Sequence, residues 1–196
     1  MSENVSLDYR IITDIVEQGS RVLDLGCGNG DLLYLLAKER SALVQGIEIS
    51  EEAVYQCVEK GLSVFHSDID SGLTDYPDKS FDYVILNQSL QEVKKIDLVM
   101  DETLRVGNKA IIGFSNFAHI RARLMMFFRG KAPITKSLPY HWFDTPNVRF
   151  LSISDFKYYC AVKGFKILHV RYLGKKREVG FWPNLFALNA IFVIQK

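Results

Sequence analysis

The residues best suited to chemistry form a loop with glycine at every second position, Gly26, Gly28 and Gly30, directly after the apolar run 22–25. Glycine allows a backbone to turn with positive φ and to approach a ligand closely. The helix expected after the loop would offer unpaired N–H groups to a carboxylate or phosphate. A dinucleotide-binding loop would have its third glycine where Asp31 stands. The spacing therefore indicates a ligand-binding loop of another kind, preceded by Asp24.

A second acidic residue follows at the end of the next predicted strand. Glu48 lies 18 positions after Gly30, just before Ser50 and the helix that Ser50 is expected to cap. A carboxylate at this place can accept hydrogen bonds from both hydroxyls of a ribose. Two alternatives stay open: the glycine turn could serve strand–helix packing alone, and Glu48 could simply place negative charge near a helix N-terminus.

The elements that must position these residues alternate between two periods. Stretches with helical spacing of apolar residues separate short β-branched runs, and Ser152 to Asp155 has the spacing of a capping box. The predicted strands are 21–25, 43–48, 62–66, 82–86, 109–114, 165–172 and 190–194. Such alternation predicts an α/β fold with a mostly parallel sheet and helices on both faces. We expect one domain over residues 1–196.

Residues 116–150 interrupt this alternation after the fifth strand. They are rich in proline and aromatic residues, and within them 119–129 places three arginines among apolar side chains. A connection of this length predicts a lid or binding insertion. The basic stretch could dock a partner protein or a membrane surface, or it could be a lid helix with its apolar side on the sheet.

Composition excludes several classes of protein. The 196 residues carry 24 Lys and Arg against 23 Asp and Glu, and no apolar run is long enough to span a membrane. The balanced charge gives no reason to expect nucleic acid as a partner. Three scattered cysteines and four scattered histidines lack disulfide or metal-ligand spacing. We therefore expect a cytoplasmic protein without a metal and without a membrane segment.

The glycine loop with Asp24, the later Glu48, and Ser67-Asp68-Ile69 together resemble the class I S-adenosylmethionine-dependent methyltransferases. The resemblance implies a Rossmann-like fold whose seventh strand runs antiparallel, and S-adenosylmethionine as cofactor. It also implies which residues bind each part of that cofactor. They are Gly26, Gly28 and Gly30 with Asp24 for the methionine moiety, Glu48 for the ribose, Asp68 and Ile69 for the adenine, and Cys27, Ile49 and Asn87 as further contacts.

A closer resemblance covers nearly the whole chain. The stretches 77–86, 88–91, 104–107, 114–117 and 138–147 resemble the MetW family of methionine biosynthesis proteins. The last stretch, LPYHWFDTPN, is the most specific of them, although Phe143 stands where a tyrosine is expected. This resemblance implies action beside homoserine O-acyltransferase, as a partner or regulator that binds S-adenosylmethionine.

Two residues are candidates for catalysis. Methyl transfer from a sulfonium needs alignment and, for protic acceptors, a base. Glu92 follows the fourth strand, where the acceptor would meet the methyl group, and His141 precedes Asp144 by three residues in the insertion. Either residue could instead be a solvated or structural side chain. Two functions therefore stay open, a regulatory subunit and a catalytically active small-molecule methyltransferase.

Overall fold

The structure, a computed structural model, describes residues 6–135 and 137–196. Seven strands form one sheet in the order β3-β2-β1-β4-β5-β7-β6. All neighbouring strands pair parallel except β7, which runs antiparallel to both β5 and β6. The strands are β1 (Arg21–Leu25), β2 (Leu43–Glu48), β3 (Val64–His66), β4 (Phe81–Asn87), β5 (Gly107–Ser115), β6 (Lys166–Leu173) and β7 (Asn189–Gln195). This confirms the α/β fold class, with the insertion after the fifth strand.

The helices fill the intervals between the strands. They are α1 (Leu7–Ile15), α2 (Asp31–Arg40), α3 (Glu51–Glu59), α4 (Ile96–Val106), α5 (Ile120–Arg129), α6 (Ile153–Lys163) and the single turn α7 (Pro183–Phe186). Ser50 caps α3 through its hydroxyl, and Ser152 and Asp155 form the expected capping box of α6. The sequence pattern does not predict α7, because four residues are too few to show helical spacing of apolar side chains. Its first residue is Pro183, whose ring fixes φ at a helical value.

Two layers of apolar side chains hold the sheet between its helices. On one face, the rings of Phe114, Phe156 and Phe192 contact each other at centroid distances of 4.9–5.7 Å, which packs α6 on β5 and β7. On the other face, Ile12 and Leu36 belong to a buried cluster with the inner strands. Because both faces are covered, the loops at the strand ends are left for binding.

The insertion 116–150 contains α5 and a long segment with one isolated pair of bridged residues, Thr135 and Leu138. Arg129 ends α5 before Gly130, which takes the left-handed conformation at φ 59°. Most of the aromatic side chains of the insertion are exposed, whereas Leu138 is buried. The insertion therefore leaves most of its aromatic rings in solvent and buries a few smaller side chains such as Ala122 and Leu138.

Candidate functional site

A cavity of about 530 Å³ opens at the carboxyl ends of the inner parallel strands. The loops that follow β1, β2, β3 and β4 line it. It lies where β1 is flanked by β2 on one side and by β4 on the other, so that the strand order reverses there. Ligands of open α/β sheets bind at such a switch point, because the diverging loops leave a crevice there. The volume is in the range of small-molecule sites.

The three loop glycines have separate roles in the structure. All three have positive φ, 76° at Gly26, 54° at Gly28 and 79° at Gly30. A Cβ on Gly26 would lie 2.8 Å from Ser89 Cβ, and one on Gly30 would lie 2.6 Å from Leu62 Cδ1. A Cβ on Gly28 would meet no atom within 4 Å. Gly26 and Gly28 line the cavity, whereas Gly30 begins α2 and lies outside the lining.

Glu48 is buried in the wall of the cavity and joins two of its loops. One carboxylate oxygen accepts a hydrogen bond from the Gly28 N–H at 2.8 Å. The other oxygen accepts from the N–H groups of Ile49 and Ser50, each at 2.9 Å. Backbone donors thus fix the carboxylate at the end of β2, and the oxygen that accepts from Gly28 keeps lone-pair capacity for a further donor.

Asp24 is the fourth residue of β1, just before the glycine loop, and is only 3% exposed. Its Oδ1 accepts no hydrogen bond from any of the described residues. Burial, and then the charge of Glu48, raise the pKa of Asp24 to about 7. A buried carboxylate without a cationic partner is costly, so this position favours a ligand that supplies positive charge.

The adenine side predicted from the sequence comprises Asp68 and Ile69, and both line the cavity next to Ile49. The Asp68 carboxylate accepts from the Asp70 N–H at 2.9 Å, which begins a 3₁₀ turn over Ile69–Ser71. Asp70 in turn accepts from the N–H of Lys95 at 2.7 Å. The third and fourth loops are therefore tied together on this side of the cavity.

At the end of β4, Asn87 donates to Asp8 of α1 at 3.2 Å and lines the cavity with Gln88 and Ser89. Gln88 adopts φ 64°, a conformation that non-glycine residues seldom take outside functional or tightly fixed sites. Glu92 lies at the exposed rim, where partial desolvation and the charge of Glu48 raise its pKa.

Tyr9 and Pro146 are among the cavity residues that the sequence did not indicate. Tyr9 of α1 lines the wall, and burial together with the charge of Asp24 raises its pKa to about 12. Pro146 of the insertion lines the wall as well. No local pattern marks either residue, because each reaches the cavity from an element remote in sequence from the glycine loop. Pro146 does lie inside the specific LPYHWFDTPN stretch, which was the available signal.

The structure places His141 elsewhere. It lines a smaller groove of about 110 Å³ within the insertion, with Met126 and Phe150, and its ring stacks on Phe143 at 5.1 Å. Among the described residues its side chain makes no hydrogen bond to Asp144. Of the two candidates for catalysis, only Glu92 is beside the cavity of the glycine loop.

The cysteines near the loop are buried. The Cys57 thiol donates to the Gly28 carbonyl at 3.2 Å, and burial raises the pKa of both Cys27 and Cys57. They support the loop as neutral thiols. Within 6–135 and 137–196, no three His, Cys, Asp or Glu side chains come close enough to hold a metal ion. Over the same residues, none of the helices has the length and apolarity to cross a membrane.

Solved structures show which fold this chain shares with known proteins. A methyltransferase from Mesorhizobium loti that depends on S-adenosylmethionine superposes with a TM-score of 0.71 at 16% identity, over 98% of this chain and 99% of its own. The [4+2]-cyclase SpnF superposes with a TM-score of 0.68 at 18% identity, over 96% of this chain and 80% of its own. The fold is therefore that of class I methyltransferases.

The sequence identifies the family. Residues 6–194 match the family described as methionine biosynthesis protein MetW. The bifunctional methionine biosynthesis protein MetXA/MetW of Rhodopirellula baltica is 36% identical over 160 residues, which cover 77% of this chain and 26% of that protein. The chain thus spans about a quarter of the length of this relative. It belongs to the MetW family of methionine biosynthesis proteins.

Proposed function

We propose that this chain binds S-adenosylmethionine in the cavity and regulates a homoserine O-acyltransferase in the cytoplasm. The observation that carries the cofactor is the buried Glu48 carboxylate in the cavity wall, with the buried Asp24 carboxylate close enough for the charge of Glu48 to raise the pKa of Asp24. The positively charged methionine end would lie over the glycine loop near Asp24. A ribose hydroxyl would donate to the Glu48 oxygen that accepts from Gly28, in a carboxylate that backbone N–H groups already hold in place.

We infer the acyltransferase as partner from the Rhodopirellula baltica relative, which is named as a bifunctional MetXA/MetW protein. Two activities that occur on one chain in one organism can be two associated chains in another. A small effector at the cavity would then report the level of a methionine-derived compound to the enzyme that supplies the pathway. Binding and regulation need no catalytic base in the cavity, which fits the exposed position of Glu92.

The insertion supports a link from the cavity to the surface. The N–H groups of Val148 and Arg149 both donate to the carbonyl of Gln91, at 3.0 and 3.1 Å, and Arg149 also donates to the Lys94 carbonyl. The loop 88–94 lines the cavity, as does Pro146 of the insertion. Contacts of the effector with this wall would therefore favour one position of the insertion over others.

The test is the acyl-transfer rate of the homoserine O-acyltransferase from the same organism, measured alone, with this chain, and with this chain and S-adenosylmethionine. We expect the chain to change the rate and S-adenosylmethionine to shift that change. The Glu48→Ala variant should retain the effect of the chain and lose the response to S-adenosylmethionine. Acyl-transfer kinetics that are the same with and without the chain would overturn the regulatory role.

A methyltransferase is the second candidate function, favoured by the raised pKa of Glu92 at the cavity rim. A carboxylate with a raised pKa is a stronger base toward a protic acceptor. Labelled S-adenosylmethionine incubated with the chain and a metabolite extract should then yield a labelled product, and Glu92→Gln should lower its rate. An extract without any labelled product in the presence of active protein would exclude this candidate.

A further inference from the structure

Two long segments begin at the same end of neighbouring strands. Ser115, the last residue of β5, pairs with Asn189, the first residue of β7, and Asn189 also pairs with Leu173 at the end of β6. The insertion 116–150 and the β6–β7 connection 174–188 therefore begin side by side. The buried Asn116 side chain joins them, because its Nδ2 donates to the carbonyls of Asn184 and Ala187 at 3.1 and 2.9 Å.

Both segments present aromatic rings to solvent, and these rings contact each other in pairs within their own segment. Phe127 is 82% exposed and packs edge-on against Phe128 at 5.0 Å. Trp142 is 76% exposed and lies against Phe143, while Phe181 stacks on Trp182 at 5.1 Å. We call the four that the insertion carries, Phe127, Phe128, Trp142 and Phe143, the aromatic face. Exposed aromatic groups of this extent are typical of surfaces that another protein covers.

Charge on the same two segments is strongly one-sided. Residues 116–150 contain six Arg or Lys and one acidic residue, and residues 174–188 contain three Arg or Lys and one acidic residue. The chain as a whole has a net charge of +1, so the remainder of the protein is acidic. A partner surface for this edge should therefore combine apolar pockets with an acidic surround.

The aromatic face adjoins a groove within the insertion that one side chain of a partner can fill. The groove has a volume of about 110 Å³ and is lined mainly by apolar groups, including Phe117, Met126 and Leu138, with Trp142 at its border. Interfaces concentrate their affinity where a side chain enters a pocket of this kind beside exposed aromatic residues. The groove and the face together have the composition of an interface centre.

We infer that the aromatic face is the docking surface for the homoserine O-acyltransferase. The inference rests on the proposed function, and the MetXA/MetW polypeptide is the reason to choose this occupant over a second copy of the chain or a lipid surface. The matched family region, 6–194, includes both segments. The acyltransferase would bury the rings in an apolar surface that is bordered by carboxylates.

The test measures the affinity of the chain for the purified acyltransferase by calorimetry. Trp142→Ala combined with Phe143→Ala, and separately Phe127→Ala, should each weaken binding by at least about tenfold, since exposed aromatic anchors carry a large share of interface energy. The matched control is Tyr55→Ala, an aromatic residue of α3 that is 68% exposed and lies at the opposite end of the sheet. It should bind like the unchanged chain. Raising the salt concentration should weaken binding further.

The outcomes separate this inference from the proposed function. Acyltransferase binding that survives both aromatic variants would overturn the docking surface and leave the regulatory role intact. A chain that does not bind the acyltransferase at all would overturn both. Self-association of the chain in sedimentation, or binding to anionic vesicles that Trp142→Ala abolishes, would assign the face to a different occupant. Phe127 is so exposed that its removal leaves the core unchanged, which guards against misfolding as an explanation.

Discussion

The Glu48 carboxylate accepts a hydrogen bond from the Gly28 N–H at 2.8 Å, across 20 positions of sequence. This bond fixes the glycine loop of β1 against the end of β2, and both residues line the cavity. An acid at this place therefore has two tasks. It shapes the cavity through backbone donors and keeps acceptor capacity for a ligand hydroxyl.

Replacing Glu48 tests the ribose contact. Glu48→Ala should weaken S-adenosylmethionine binding by roughly ten- to a hundredfold, because a charged hydrogen bond contributes about 1.5–3 kcal/mol. Glu48→Gln keeps an acceptor oxygen and should lose less. Calorimetry measures both, with Glu51→Ala as the control, an exposed acid in the first turn of α3. Equal affinity for Glu48→Ala and the unchanged chain would remove the ribose assignment.

The glycines should respond differently to alanine. At Gly30 a Cβ collides with Leu62, so Gly30→Ala should lower the free energy of unfolding. At Gly28 the Cβ enters open space, so Gly28→Ala should cost only the strain of positive φ, about 1 kcal/mol. Chemical denaturation gives both stabilities. The thermal shift produced by S-adenosylmethionine should shrink for Gly28→Ala, since the added methyl occupies the ligand space. A full thermal shift in this variant would contradict the proposed approach of the ligand to Gly28.

The pKa of Asp24 gives binding a pH dependence. With the pKa raised to about 7, the carboxyl is mostly protonated at pH 5 to 6. A positively charged ligand favours the ionised form, so affinity for S-adenosylmethionine should rise about tenfold per pH unit from 5 toward 7 and level off above. Calorimetry across this range measures the slope. Asp24→Asn should flatten it, and a slope retained in Asp24→Asn would assign the titration to another group.

The same shift affects the ligand-free protein in the opposite sense. In the unfolded chain Asp24 loses its proton near its ordinary pKa of 3.8, whereas in the folded chain it keeps the proton to about 7. Its contribution to stability is therefore present below about pH 4 and is lost as pH rises to about 7. Asp24→Asn should abolish this loss, so the variant should unfold at higher denaturant concentration than the unchanged chain at pH 8. No gain in stability at pH 8 would mean that burial does not raise the pKa of Asp24 in the folded chain.

Ligand binding should also reach the insertion. Because Val148 and Arg149 donate to Gln91 on the cavity loop, S-adenosylmethionine should slow hydrogen exchange of amides in 88–94 and 146–149 together. Amides in the middle of α6, which packs on the far strands, serve as the internal reference. Protection confined to the glycine loop would show that the insertion does not respond to the ligand.

The sequence by itself determined the local elements. Strand runs and helix caps are encoded by neighbouring residues, so all seven strands and the capping box at Ser152 were predicted close to their observed positions. The start of β3 differed, Val64 in place of Leu62, because pairing with β2 and not β propensity decides where a short edge strand begins. The glycine loop, Asp24 and Glu48 could be recognised because each follows a strand that the sequence marks clearly.

Only the tertiary structure decided which remote residues share the cavity. Tyr9 and Pro146 reach it from α1 and the insertion, and His141, equally suggestive in sequence, lies in a separate groove. Those positions follow from how the sheet orders its strands and how the insertion is fixed to Gln91, which are contacts between segments far apart in the chain. The insertion and the β6–β7 connection begin side by side for the same reason, because β7 runs antiparallel between β5 and β6 and brings the ends of those strands together.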